Sequence, residues 1–266
     1  MSKETDELAS KLRFNPALSG ISADIARLAQ PSIRLSARLE ASGSLPAGVS
    51  HLGGLPDLPA GTTWPEWKGS PMAFVAQVRL EEAAPFDSEK LLPAAGMLSF
   101  FYDASQETYG ADPDDRGGWQ VWYYANVAAN WQPRQPPSEL PSEARFKPCT
   151  VTFSNELTLP YSPVQVQAEL KWSEGQVEVY ESFLKGFPSV QEHASLHHRM
   201  FGHPNQLQDD MQLQCALMAN GMRSLDEPGA ADLVKTKADW LLLLQVDSDY
   251  NAGMKWATSG LLYYWI

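Results

Sequence analysis

The sequence predicts a mixed fold of short β-strands and a few α-helices, in which two similar halves follow an N-terminal helical arm over residues 1–31. Apolar residues recur at helical spacing before residue 30 and again over residues 174–185, whereas they alternate with polar residues in several short runs between them. The third observation is an ordered set of landmarks that occurs twice along the chain, which indicates an internal duplication.

The arm is predicted from five apolar residues at roughly helical spacing, Leu8, Leu12, Ile21, Ile25 and Leu28. After Pro31 the period changes to two, which predicts a half-buried strand over residues 33–40 with a charged outer face that includes Arg34. Residues 51–69 are rich in Gly and Pro and predict an ordered loop pinned by Trp64 and Trp67. Further strands are predicted over residues 73–78, 97–102 and 119–124, with an exposed acidic connection over residues 103–118.

Residues 130–148 contain five prolines and predict an extended linker, neither helix nor sheet, between halves of about 32–128 and 146–266. Beyond it, residues 149–153 and 156–159 are typical of strands. Val177, Tyr180 and Leu184 share one face of a helix that ends before Gly186. A second helix over residues 189–199 is predicted from a capping box that begins at Ser189.

Three landmarks appear in the same order in both halves. "LGGLP" (52–56), "FVAQV" (74–78) and "GMLSFFYD" (96–103) in the first half correspond to "FGHP" (201–204), "LLLQV" (242–246) and "GLLYYWI" (260–266) in the second. Each half therefore has a glycine turn before a proline, a Gln-Val step and an aromatic strand that follows a glycine. Three landmarks in one order favour duplication over coincidence.

Composition excludes several function classes. The 20 basic and 32 acidic residues give a net charge of −12, which disfavours nucleic acid and membrane surfaces as partners. Cys149 and Cys215 are the only cysteines and are interpreted as free thiols of a reducing compartment, so the predicted location is the cytoplasm. We expect a monomer or weak dimer without a cofactor.

Several runs together are similar to the YwqG-like family of bacterial proteins, a domain of unknown function. They are "SHLGGLPDLPAG", "FVAQV", "LLPAAGMLSFFYD", "HRMFGHPNQLQDDM" and "LLLQVDSD" with "MKWATSGLLYYWI", and they span residues 50–266. The resemblance implies a single α+β domain over residues 32–266, with antiparallel sheets and two intertwined halves, and it brings no established activity. Where the family tends to have Trp-Gly-Asp, Trp256 is followed by Ala257, Thr258 and Ser259, and the family also continues a short way past the position of Ile266.

Asp247 and Asp249 in "LLLQVDSD" raise the main question about a site. If the strand continued, the two carboxylates would share a face and could hold a divalent cation. The alternative is that they end the strand and bond to free backbone amides in a turn, which the sequence favours. Gln77 and Gln245 end apolar runs, and because a buried amide needs partners for both ends, a structural role is expected for both.

Histidine is concentrated in one short segment. On a helix, His193 and His197 would lie at the spacing that lets two imidazoles reach one zinc ion, although Ala194 stands where a general-base glutamate would follow. His203 lies in the second glycine-proline turn and is the better pocket candidate. No nucleophile elbow or phosphate-binding loop occurs, and "MQLQCALM" alternates as a strand that would direct Cys215 into the core.

These observations lead to one hypothesis and one alternative. The hypothesis is a non-enzymatic binding module that takes a protein partner or small polar ligand at the two glycine-proline loops. Its candidate ligand-binding residues are Gly53, Gly54, His203, Gln208, Asp209, Gln245, Asp247, Asp249 and Trp256. The alternative is a metal-assisted hydrolase that uses Asp247, Asp249 and His203. A recognition patch of Trp64, Trp67 and Trp131 is a further possibility for the Pro-rich loops.

Overall fold

The computed structural model describes residues 5, 8, 10, 12, 14–126, 131–190, 196–207 and 210–266, without the side chains of residues 164 and 165. Its strands are β1 (Gln30–Leu39), β2 (His51–Leu52), β3 (Asp57–Leu58), β4 (Glu66–Trp67), β5 (Ser70–Pro71), β6 (Ala73–Arg79), β7 (Met97–Tyr102), β8 (Trp119–Tyr124), β9 (Gln132–Pro133), β10 (Cys149–Thr158), β11 (Arg199–Met200), β12 (Leu242–Asp247) and β13 (Leu261–Trp265). Its helices are α1 (Ser22–Leu28), α2 (Leu80–Ala83), α3 (Pro163–Leu170), α4 (Glu174–Leu184), α5 (Met211–Ala219) and α6 (Ala230–Leu233). The prediction of an α+β protein with antiparallel strands and a few helices is confirmed.

Nine of the described strands form one antiparallel sheet in the order β13-β12-β11-β1-β10-β2-β6-β7-β8. The long strands β1 and β10 lie at its centre and pair over their whole length, from Gln30 opposite Thr158 to Leu39 opposite Cys149. Since β1 also pairs with β11 and β10 with β2, each central strand joins a strand from the far side of the chain. The remaining strands form two short pairs, β3 with β9 and β4 with β5.

The sheet has the same order when read outward from its centre in either direction. One side runs β10, β2, β6, β7 and the other runs β1, β11, β12, β13. Among the strands that the structure describes, only the first side continues, to β8. The β6–β7 and β12–β13 pairs each contain a β-bulge at a matching position. Val75 in β6 and Leu243 in β12 have no partner on the neighbouring strand and interrupt the register there. Such an extra residue bends the strand and increases its twist.

The sheet curls, so that strands far apart in its order meet across the core. The Tyr264 hydroxyl of β13 donates a hydrogen bond of 3.2 Å to the carbonyl oxygen of Phe101 in β7, and the rings of Tyr264 and Phe100 pack with centroids 5.1 Å apart. A second apolar cluster lies outside the curl, where Ile21 and Ile25 near the N-terminus pack with Tyr180 and Leu184 of α4.

Several strand and helix predictions are confirmed. β6, β7, β8 and β12 occupy the predicted runs, and α4 begins at Glu174, caps through Ser173 and Gln176, and buries Tyr180 and Leu184. The two strands predicted at residues 149–159 are one strand, β10, because its full length is paired with β1.

Other predictions are wrong for identifiable reasons. Residues 196–198 are not helical and Arg199 lies in β11, because pairing with β1 overrides the local helix signal; residues 191–195 lie outside the described part. The extended linker, which was predicted to be neither helix nor sheet, contains β9 and a 3₁₀ turn at Ser142–Ala144. "MQLQCALM" is the helix α5, since Met, Gln, Leu and Ala are strong helix formers and Asp210 caps the first turn by accepting from the Leu213 N–H.

Candidate functional site

Gln77 in β6 and Gln245 in β12 make closely similar hydrogen bonds. The Gln77 amide oxygen accepts from the Asp57 N–H at 2.9 Å, and its nitrogen donates to the Val49 carbonyl at 2.8 Å and to Asp57 Oδ2 at 2.7 Å. The Gln245 oxygen accepts from the Asn205 N–H at 2.8 Å, and its nitrogen donates to the His197 carbonyl at 2.6 Å and to Asn205 Oδ1 at 3.0 Å. Both side chains are fully buried and bonded at both ends, so within the described residues they act as structural cross-links between a strand and the turn beside it.

The two glycine-proline turns have similar positive φ angles at matching positions. Gly53 and Gly54 have φ of 60° and 73°, and Phe201 and Gly202 have φ of 62° and 70°. Little space remains around the glycines, since a Cβ on Gly53 would lie 2.3 Å from the Lys147 carbonyl oxygen. His203 follows the second turn; its backbone N–H donates to Thr158 Oγ1 at 2.8 Å and its ring Nε2 bonds to the Leu28 carbonyl at 2.8 Å. These turns pack closely against the rest of the chain.

The carboxylates of "LLLQVDSD" bond to backbone amides. Asp247 Oδ2 accepts from the His197 N–H at 2.9 Å, and Asp249 Oδ1 accepts from the Asn251 and Ala252 N–H groups at 2.9 and 3.3 Å. Between them, Ser248 donates to the Gly260 carbonyl and accepts from the Trp256 N–H, which ties the two ends of the β12–β13 hairpin together. This is the hydrogen-bonding pattern of a strand that ends in a turn.

A buried ionic cluster crosses the β1, β10 and β11 strands, and the sequence patterns did not indicate it. Arg199, only 1% exposed, has its Nε 3.1 Å from Glu156 Oε2, and Arg34 has its Nη1 3.0 Å from Glu156 Oε1. Burial lowers the pKa of Arg199 to about 10, an effect partly offset by the Glu156 carboxylate. The Arg34 side chain is only 11% exposed, so the prediction that it lies on a charged outer face is wrong; it also donates to the Leu196 carbonyl oxygen.

Two histidines lie beside this cluster. His198 is fully buried, its Nδ1 accepts from the Asp247 N–H at 3.1 Å, and burial lowers its pKa to about 3, helped by the nearby charge of Arg34. Burial and then Arg199 lower the pKa of His197. His193 lies outside the described residues, and in the part of the chain that is described no group of three or more His, Cys, Asp or Glu is arranged to hold a metal ion.

A cavity of about 600 Å³ lies between β13, α5 and the connection from β7 to β8. Its walls carry seven aromatic side chains, Tyr102, Tyr109, Trp119, Trp240, Trp256, Tyr263 and Trp265. Volume and aromatic character are typical of ligand sites, which have volumes of about 300–1,000 Å³. Polar groups on the walls include Gln106, Asp112, Arg116 and Gln214, which can orient a bound molecule.

Each wall of the cavity has a local cause. α5 presents Met211, Gln214, Cys215 and Met218, which share one helical face because they lie three and four residues apart. Asp210 begins this helix by accepting from the Leu213 N–H at 3.1 Å. At the rim, Arg223 beyond α5 pairs with Asp112 at 2.8 Å and so links two walls, although an exposed pair of this kind contributes little to stability.

Cys215 is partly exposed on the α5 wall, whereas Cys149 is fully buried in the main core. Burial raises the pKa of the Cys215 thiol to about 12, and the Asp210 carboxylate adds to the effect. The thiol is therefore protonated at neutral pH and acts as a small apolar group that faces the cavity.

The predicted site residues are not brought together in this cavity. Trp256 lines it, is bonded to the Asp247 carbonyl at 3.2 Å, and packs edge-on against Tyr102 with centroids 6.0 Å apart. Gly53, Gly54, His203, Gln245, Asp247 and Asp249 are outside its lining, and Gln208 and Asp209 lie outside the described residues. Of the three loop tryptophans, Trp64 and Trp131 are buried and Trp67 is partly exposed.

The sequence patterns missed Tyr263, Cys215 and the acidic connection as parts of one site. Their only signal was composition, namely the aromatic residues of "GLLYYWI" beside a strand end.

A family model for a domain of unknown function, DUF1963, matches residues 50–266. The chain belongs to the DUF1963 family. Among the curated proteins compared with it, none matches. The match covers both glycine-proline turns, the buried glutamines and every wall of the cavity, so this DUF1963 chain carries the complete arrangement within the family domain.

No helix among the described residues is long and apolar enough to cross a membrane.

Proposed function

We propose that this DUF1963 protein is a non-enzymatic binding module whose ligand occupies the aromatic cavity between β13, α5 and the β7–β8 connection. The observation that carries the proposal is a cavity of about 600 Å³ with seven aromatic side chains on its walls. Aromatic rings bury a large apolar area with little loss of side-chain freedom, and the few polar groups around them select orientation.

The cavity replaces the two glycine-proline loops as the proposed site. Gly53 approaches Lys147 too closely to leave room for a ligand, and the His203 ring is engaged by the Leu28 carbonyl. No observation favours the metal-assisted alternative, since Asp247, Asp249 and His203 bond to backbone groups of three different segments.

We also propose that residues 32–128 and 146–266 are copies of one unit, as in the YwqG-like family of bacterial proteins. Support comes from the sheet order, from the bulges at Val75 and Leu243, and from the matching hydrogen bonds of Gln77 and Gln245. In this proposal the copies are intertwined, because the central strand of each pairs with the turn strand of the other. Residues 1–31 are the N-terminal arm in this proposal; Ile21 and Ile25 of the arm pack with residues of α4, and Gln30 already pairs in β1. The free thiols Cys149 and Cys215 support a cytoplasmic location.

The binding proposal is tested with the neutral aromatic dye Nile red and the Cys215→Phe variant. The added ring points into the cavity and takes up ligand space, so we expect saturable dye fluorescence with the unmodified protein and affinity about tenfold weaker with the variant. Val234→Phe, at a position that is 43% exposed and away from the cavity, is the matched control and should bind as the unmodified protein does.

A second readout covers the case in which Cys215→Phe does not fold. Because the raised pKa of Cys215 leaves little thiolate, the reaction needs alkaline pH: in the unmodified protein at about pH 9, neutral iodoacetamide should slowly modify the partly exposed Cys215 and not the fully buried Cys149, and bound Nile red should slow that reaction. Equal dye affinity in folded Cys215→Phe, or labelling that the dye does not affect, would refute the site.

A further inference from the structure

The outer edges of β7 and β13 differ in one respect. β7 pairs with β6 on one side and with β8 on the other, from Met97 opposite Tyr124 to Tyr102 opposite Trp119. β13 pairs with β12 on one side, and no described strand pairs with its other edge. Because the β6–β7 and β12–β13 pairs share strand direction, position in the sheet and a bulge, the open edge of β13 corresponds to the edge of β7 that β8 covers.

The backbone groups on this open edge can be identified. Leu241 and Ile266 exchange both N–H···O bonds, at 2.8 and 3.0 Å, and residues of an antiparallel strand alternate in the direction of these groups. Tyr264 and Leu262 therefore bond toward β12, whereas Leu261, Tyr263 and Trp265 direct their N–H and C=O groups away from it. On β12, the Leu242 carbonyl accepts from Phe201 and the Asp247 N–H donates to His198, both away from β13, as this alternation requires.

The open edge faces the cavity. Leu261, Tyr263 and Trp265 all line it, as do residues of α5. A strand added to a sheet lies about 4.8 Å from its neighbour and rises about 3.3 Å per residue, so a segment that pairs with the five residues of β13 would itself be a short extended segment. The site therefore combines β13 backbone groups that no described strand pairs with and an aromatic lining. Peptide recognition by strand addition uses these two features, because main-chain hydrogen bonds give affinity and pockets for alternate side chains give specificity.

The structure also contains a guide to the occupant. β8 has the sequence "WQVWYY" and covers β7 with aromatic and branched apolar side chains. The cavity walls are aromatic, and the net charge of −12 favours a segment with basic flanks.

We propose that the open edge of β13 binds a short extended peptide, antiparallel to β13 as β8 is to β7, with aromatic or branched apolar residues at alternate positions and basic flanks. The inference rests on the proposed binding function of the cavity and adds the class of ligand. The peptide's N–H and C=O groups bond to those of Leu261, Tyr263 and Trp265, while its side chains pack on the cavity walls.

The test uses a fluorescein-labelled probe peptide that carries the sequence of residues 119–124 between pairs of lysines, with the full chain and fluorescence anisotropy. In β8, alternate residues that include Gln120 and Trp122 lie opposite the β7 residues Phe101 and Ser99, whose backbone groups point toward β8. N-methylation of the probe at these two positions removes the donors that would face β13 and should weaken binding about tenfold or more. N-methylation at the positions of Val121 and Tyr123 is the matched control and should leave the affinity within about twofold.

A protein variant tests the other partner. Leu261→Pro removes one outward N–H group and should weaken probe binding. Proline is tolerated there because Leu261 is the first residue of an edge strand. The control Leu261→Ala keeps the N–H group and should weaken probe binding less. Hydrogen exchange at Leu261, Tyr263 and Trp265 should slow when the probe binds, with no change at Met97, Ser99 and Phe101, which β8 already covers.

The outcomes separate this inference from the binding function. Nile red binding without probe binding, or equal affinity for both N-methylated probes, would overturn the peptide inference and leave the cavity function intact. Loss of both dye and probe binding would overturn both. Protection of the β13 amides in the protein alone, together with a dimer at the same concentration, would identify a second copy as the occupant and would also overturn the inference.

Discussion

At the scale of single residues, the same structural task is done by different side chains. The Ser50 hydroxyl accepts from the Arg79 N–H at 2.8 Å beside β6, and His198 Nδ1 accepts from the Asp247 N–H beside β12. A serine hydroxyl serves at any ordinary pH, whereas a histidine nitrogen accepts only while it is unprotonated. One side of the sheet is therefore sensitive to acid at this contact and the other is not.

This difference predicts how stability depends on pH. The pKa of His198 is lowered to about 3 and that of His203 to about 4, both mainly by burial, against an unfolded value near 6.5. Below pH about 6.5 the unfolded chain binds protons that the folded protein does not, so the stabilisation is complete above that pH and is lost as pH falls toward these lowered values. Each histidine should lower the unfolding free energy by about 2 kcal/mol between about pH 6.5 and about pH 4.5.

His198→Ser, which adopts the residue found at position 50, checks the sign and the cause. Urea unfolding at about pH 7 and about pH 4.5 should show a smaller loss of stability in the variant than in the unmodified protein, whatever the variant costs at neutral pH. Comparing the two losses removes the contribution of carboxylates that both proteins share. Equal losses would show that His198 does not contribute to the acid sensitivity.

At the scale of elements, the glycine-proline turn links the central strands to the outer ones. Gly53 donates to the Val75 carbonyl at 2.8 Å and Gly54 to the Phe146 carbonyl at 2.9 Å, so one turn bonds both to the bulged strand β6 and to the segment that leads into β10. Positive φ and close backbone approach are both required there, which is why the turn uses glycine.

Gly53→Ala and Gly61→Ala separate these two requirements. Both glycines have positive φ, of 60° and 81°, but a Cβ on Gly53 would lie 2.3 Å from the Lys147 carbonyl oxygen, whereas one on Gly61 would meet nothing within 4 Å. Gly61→Ala should cost about 1 kcal/mol of unfolding free energy for the left-handed conformation alone. Gly53→Ala should cost at least about 2 kcal/mol more, since the backbone must shift. Equal midpoints in urea would contradict the close approach.

At the scale of the whole molecule, the sequence predicts elements whose signal is local and misses those that depend on distant partners. The runs of β6, β7, β8 and β12 are apolar or aromatic enough to identify as strands. Arg199 was assigned to a helix because its pairing with Gln245 and Arg34 spans distances in sequence that no local pattern contains. For Asp247 and Asp249, the sequence allowed either a metal site or a strand that ends in a turn. Their hydrogen bonds to backbone amides agree with the strand end.

The cavity is the least predictable feature because it exists only in the curled sheet. Tyr109, Cys215 and Tyr263 come from three segments separated by other strands and helices, and none of them belongs to a motif. Only the meeting of β13 with β7 across the core, through Tyr264 and Phe101, brings those segments to one place.

The claim that this cavity holds a ligand is tested by native mass spectrometry of the unmodified protein and of Cys215→Phe, each purified without denaturation. We expect additional mass on the unmodified protein that disappears on denaturation and is absent from the variant, because the added ring occupies the cavity. A bare unmodified protein, or the same additional mass on both proteins, would contradict the claim.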